Sequence, residues 1–153
     1  RRGADLEFGQ SIYEPFGIAQ VEPLSTGALC VVSDVCGCLG FAASGSGVAA
    51  NASWMMRVAQ LQARLPNIVV GNYTELPAGS PVHNWRDAMH IGQWERDAIE
   101  QHVARQVAAT VAERLPRTAQ AKQVLIDAGY ALAQRMSWNT VAETQLLPAL
   151  AAL

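Results

Sequence analysis

The chain predicts an α/β fold: a parallel sheet with helices on both faces, and a helical C-terminal region. Three observations carry that expectation. Leu29 to Ser33, LCVVS, is apolar without alternation, the pattern of a strand buried on both faces. Just before it, the turn Pro15-Phe16-Gly17 opens a short amphipathic helix, an arrangement in which the backbone N–H groups of a helix's first turn can meet an anion. Beyond residue 85 the apolar positions recur every three to four residues, a helical period.

In chain order, Leu6 to Phe8 reads as a short buried strand, and Gly9 to Tyr13 as the loop that leaves it. From Gly17 to Ser25 a helix places Ile18, Val21 and Leu24 on one stripe, which suits packing against a sheet, and Gly27 ends it as a left-handed cap. After the strand Leu29–Ser33, the run Asp34 to Gly40 holds too much glycine to continue it, and Ala42 to Gly47 reads as a flexible loop. A helix is expected from Ala50 to Arg64, with Trp54, Met55, Val58 and Leu61 or Leu65 on its buried face and Pro66 as its stop. Ile68-Val69-Val70 is a second short buried strand closed by Gly71. Residues 72–84 carry Pro77, Gly79 and Pro81 and form a connection longer than a compact domain keeps without a functional reason.

The C-terminal part reads as three helices lying over the sheet. The first runs from Trp85 to Leu115, with Ile91, Trp94 or Ala98, Ile99, Val103, Val107, Val111 and Leu115 at helical spacing. Between Thr118 and Met136 a second shows Ala121, Leu125, Ala128, Leu132 and Met136. Ser137 caps the third, whose Val141, Leu146 and Leu147 face inward before Pro148.

Length and composition bound the function. A chain of 153 residues fits one domain with a real core, and a charged share of 16% argues against disorder. A net charge of -2, with scattered arginines and Lys122 as the only lysine, gives no basic field for nucleic acid. No apolar run is long enough to span a bilayer, and nothing resembles a signal peptide, so a cytoplasmic chain is expected. Three cysteines, two of them crowded together, do not make a disulfide framework. The chain starts Arg1-Arg2-Gly3-Ala4 without Met and reaches its motif-bearing turn after barely one strand, so it is expected to be the last part of a longer polypeptide.

Three stretches carry chemistry. Ser11 to Glu22, SIYEPFGIAQVE, sets Glu14 and Glu22 around the Pro-Phe-Gly turn. Gly27 to Gly37 reads GALCVVSDVCG, and Met136 to Val141 reads MSWNTV. The first resembles the E-x7-E motif of retaining glycosyltransferases of the two-Rossmann-domain (GT-B) architecture, the group that includes the sucrose, starch and glycogen synthases. The second is similar to that family's G-x-P-V-V-x-S-D-x-G-G, and the third to its closing F-S-W-x-x-V. One departure stands out: Cys36 occupies the place of the first glycine of the G-G pair, and the Glu that often follows that pair is absent. Residues 41–115 match only loosely.

The resemblance implies a partial Rossmann-like sheet, the C-terminal part of a GT-B donor-binding domain, with residues 1–71 bearing the motifs and 85–153 as helical cover. It implies that Glu14 contacts hydroxyls of the donor sugar as the catalytic carboxylate, and that the backbone at Phe16, Gly17 and Ile18 sits by the sugar and diphosphate. Glu22 would accept hydrogen bonds from the ribose diol, for which a carboxylate offers two oxygens. The implied activity is transfer of a sugar, with retention, from a UDP-, ADP- or GDP-sugar to a saccharide acceptor held by an upstream domain. The family requires no metal or further cofactor, because amide dipoles and cationic side chains stabilise the leaving diphosphate. The fragment alone would be inactive. Two other readings stay open: a nucleotide-sugar-binding or scaffold domain without transfer, and a helical interaction module on residues 85–153.

Remaining residue types have plainer readings. Cys30 lies in the buried strand and packs as a small apolar group. Cys36 and Cys38 bring two thiols close, but a structural zinc site wants four ligands and no second pair stands nearby. His83, His90 and His102 are spread over a loop and a helix, with His90 and Trp94 a turn apart on one face. Trp54, Trp85, Trp94 and Trp138 could stack on a sugar, but packing is the commoner use of Trp, and Trp138 is expected in the core.

Overall fold

The computed structural model describes residues 3–9, 17–48, 54–73, 90 and 92–152; at Ile18, Phe41, Ser44, Gly45, Trp54 and Met55 it describes the backbone alone. Three short parallel strands, β1 (Leu6–Gly9), β2 (Leu29–Ser33) and β3 (Ile68–Gly71), lie side by side in chain order. Leu6 pairs with Leu29, and Cys30 with Ile68, which fixes both registers. Parallel strands need crossovers, and here they are helical. The first is α1 (Ile18–Val21), prolonged by a 3-10 turn over Glu22–Thr26; the second is α2 (Gly37–Gly45) followed by α3 (Trp54–Arg64). After β3 come α4 (Gln93–Arg114), α5 (Ala119–Arg135), α6 (Trp138–Val141), a π turn over Ala142–Leu146, and α7 (Leu147–Ala151).

Strand alternation sorts the core into two layers, one on each face. Cys30, Val32 and Ile68 point to one side, where Val21, Leu24, Leu39, Leu61, Leu65 and Leu132 cover them. Val31 and Val69 point to the other, against Tyr73 and the α4 stripe Ile99, Val103 and Val107. All five residues of β2 are buried, as a central strand with helices above and below requires. Burying each of these Leu, Ile and Val side chains contributes about 1.5–3 kcal/mol before entropy is set against it.

Single polar residues pin the layers. Asn67 is fully buried and its Nδ2 donates to the carbonyls of Leu24 and Leu125, joining the 3-10 turn to α5. Gly129 faces the same turn so closely that a Cβ would overlap the Leu24 oxygen. Arg114, at the end of α4, donates to the Ile68 carbonyl at 3.0 Å. Lys122 on α5 pairs with Asp5, just before β1, at 2.7 Å.

The positions of the three strands, the helix after Gly17, its Gly27 cap at φ 77° and the Ser137 cap on Thr140 agree with the sequence reading. However, β1 is not the buried strand expected: as an edge strand it leaves Phe8 61% exposed. Several expectations are corrected. The stretch expected to be a glycine-rich turn and flexible loop is instead α2, because Cys38, Leu39, Ala42 and Ala43 form a buried stripe at i, i+1, i+4 and i+5. Burial of that stripe outweighs the poor helix propensity of Gly37, Gly40 and Gly45. Trp138 is not in the core: it is 83% exposed. Leu146 and Leu147 are likewise exposed, since α6 and α7 run past the last strand and have no buried residue. Pro148 sits in the first turn of α7, just after the π turn, a position that proline tolerates. Neither Trp94 nor Ala98 is buried, and Ala121 is exposed too. His90 precedes α4 rather than lying on it.

Candidate functional site

In an open parallel α/β sheet, the crevice outside the carboxyl ends of the strands is where ligands bind. Here that edge is built from Gly9, Ser33 and Gly71, with Gly17, Asp34 and Cys36 arriving from the loops above it, Gln20 from α1 and Gly37 from the start of α2. Asp34 is buried; its carboxylate accepts the Tyr73 N–H, and its own N–H donates to the Gly71 carbonyl. Burial raises the Tyr73 hydroxyl above its ordinary pKa, with the charges of Glu100 and Asp34 adding to it.

Gly17 is buried and left-handed, with φ 60°. A Cβ at that position would meet Cys36 Sγ at 2.5 Å and Gln20 Oε1 at 2.6 Å. Glycine is therefore required by the chain's own packing as well as by its backbone angle. The Gly17 carbonyl accepts the Gln20 N–H at 3.1 Å, which starts α1. Gln20 then turns its side chain over Gly9 and Gly17, and Oε1 accepts from the Cys36 thiol at 3.0 Å. Cys38 Sγ lies 3.5 Å from the same oxygen and 2.9 Å from Cys36 Sγ. Burial pushes the Cys38 thiol up, and its hydrogen bond with Cys36 pushes it further. Cys30 is pushed from 9.0 to about 12 by burial and by the charge of Glu7, in keeping with a packed apolar role.

Of the residues singled out in the sequence, Glu14 and Phe16 lie outside the described residues. Gly17 and the Ile18 backbone stand at the carboxyl edge. Glu22 follows α1 directly, at the start of the 3-10 turn, is exposed, and lines a groove of about 430 Å³. The far wall of that groove is Gly129, Leu132, Met136 and Trp138, so the second carboxylate of the first motif and the tryptophan of the last share one cleft. Nothing in the spacing of the two motifs reveals the meeting, which depends on α5 packing against the 3-10 turn. Sequence reasoning also passed over Gln20 and Asn67, whose importance rests on partners far along the chain.

A second groove, of about 280 Å³, is lined by Arg64, Arg135 and Ser46. Arg64 is committed there to the carbonyls of Ser46 and Gly47, each at 2.7 Å, the usual service of an arginine at a helix end. No group of three or more metal-ligating side chains occurs among the described residues. Among them, too, no helix is long and apolar enough to cross a membrane. Comparison with protein families, with curated proteins and with solved structures finds no match to this chain.

Proposed function

We propose that this chain is the donor-site part of a retaining GT-B glycosyltransferase, a Rossmann-like half-domain that binds a nucleotide-diphosphate sugar in the cytoplasm. The sugar passes to a saccharide acceptor held by an upstream domain. One observation supports this reading most: Gly17, in a left-handed conformation at the carboxyl edge of a parallel sheet, leads in one turn to an exposed Glu22 lining a groove. That is the order in which the E-x7-E resemblance needs a close backbone approach and then a ribose acceptor. On this reading Glu14 serves the sugar, and Phe16, Gly17 and Ile18 offer backbone to the diphosphate, while Glu22 takes the ribose diol.

The experiment is a thermal-shift titration of the full-length protein with UDP-, ADP- and GDP-sugars, since a ligand stabilises the state that it binds. One donor class is expected to raise Tm. Glu22→Ala removes most of that shift, whereas Glu14→Ala keeps it and lowers turnover. Wild-type donor affinity and turnover in both variants refute the assignment.

A second reading, an interaction module, draws on α6 and α7, where Trp138, Leu146, Leu147 and Leu150 are all more than half exposed. If Leu146→Glu with Leu147→Glu abolished the protein's association with a partner while leaving donor binding intact, that reading would be favoured.

A further inference from the structure

Cys36 and Cys38 belong to the buried layer that holds Cys30, but unlike Cys30 they place their sulfurs against each other. The two sulfurs stand 2.9 Å apart, and both turn toward one acceptor, Gln20 Oε1. Both residues are free thiols, Cys36 4% and Cys38 1% exposed, at the start of α2 where the exposed Gly37 separates them. The two thiols thus face each other and one polar acceptor within an otherwise apolar layer. A disulfide requires the sulfurs to approach from 2.9 Å to ~2.05 Å.

We propose that Cys36 and Cys38 are a redox-active dithiol that closes reversibly to an intramolecular disulfide, with a low-molecular-weight disulfide such as oxidised glutathione as the oxidant. Local opening at the start of α2 brings the pair to solvent and relieves the burial that raises Cys38. Cys36 then attacks one sulfur of that disulfide as its thiolate, and the first thiol leaves. Cys38 then attacks Cys36 Sγ, the protein S–S bond forms, and the mixed disulfide breaks to release the second thiol. The protein loses two electrons and two protons; the oxidant gains both and becomes two thiols. Closure withdraws both S–H donors from Gln20, whose side chain packs on Gly9 and Gly17. The carboxyl edge of β1 and the start of α1 are thereby tied to the redox state of the pair.

The test equilibrates the reduced protein with graded mixtures of reduced and oxidised glutathione, quenches with an alkylating agent in denaturant, and reads intact mass. Of the three cysteines, two are expected to become unreactive together, with a mass lower by about 2 Da before alkylation and full recovery on reduction. Cys30→Ser leaves that behaviour unchanged. Cys36→Ser and Cys38→Ser each abolish it, and the surviving thiol carries at most one glutathione. Retention of all three thiols across the series, loss of the bond in Cys30→Ser, or a disulfide between two chains overturns the proposal. The readout is sulfur chemistry alone, so it stands or falls independently of donor binding.

Discussion

Asp34 and Tyr73 are joined at 2.9 Å, the buried carboxylate accepting the backbone N–H of the residue that leads the chain away from β3. Because the Asp34 N–H also donates to the Gly71 carbonyl, one residue closes the ends of β2 and β3 together. Asp34→Ala would leave the Tyr73 N–H without this acceptor in a buried place, which costs about 1–3 kcal/mol. Asp34→Asn keeps a carbonyl oxygen there and should cost less than half as much. Urea denaturation of the purified protein measures both; equal losses would mean that the charge, not the acceptor, is what matters.

Gly129 offers a test in which two effects oppose each other. Helix propensity alone makes Gly129→Ala stabilising by about 1 kcal/mol. The added Cβ, however, would run into the Leu24 carbonyl and stand 2.8 Å from Asn67 Nδ2. Overpacking against backbone costs about 1–3 kcal/mol, so the net change should be a lower Tm. A raised Tm would show that α5 shifts freely on the 3-10 turn.

Trp138 separates the sequence expectation from the structure. A core tryptophan replaced by alanine costs about 3–5 kcal/mol. At 83% exposure, Trp138→Ala should change the stability of this chain by no more than about 0.5 kcal/mol. Chemical denaturation decides between the two.

Alkaline pH should unfold the protein through its buried acids. Burial raises Cys30 from 9.0 to about 12 and raises Cys38 and Tyr73 as well. In each case the native state holds its proton where the unfolded chain has lost it. The associated stability is therefore complete below pH 9.0 and declines as pH rises from there toward about 12. Urea midpoints should be level from neutrality to about pH 8 and fall above about pH 9, less steeply in Cys30→Ala. A level midpoint through pH 11 would contradict the assignment.

β2 and β3 were legible because they are short runs, apolar on both faces and rich in β-branched residues. Helix ends were legible where a single residue sets them, as Gly27 and Ser137 do. What escaped was decided by partners. Glycine content hid α2, although its stripe of Cys38, Leu39, Ala42 and Ala43 was present in the sequence. Periodicity marked Leu146 and Leu147 as one apolar face, but it cannot tell whether anything lies against that face. The candidate site was half legible: Gly17 and Glu22 follow from local order, whereas the approach of Trp138 to Glu22 depends on contacts between segments more than a hundred residues apart.

Asn67 and Lys122 make those distant contacts costly in time. Asn67 must find Leu125, 58 positions later, and Lys122 must find Asp5, 117 positions earlier. On the ribosome, all three strands and both crossovers emerge before α5, which covers one face of them, has been made. Until α5 arrives, the hydrophobic layer around Leu24 has an open side, and a stalled or truncated product would display it. An exposed apolar face of that kind is what makes an incomplete chain prone to aggregate.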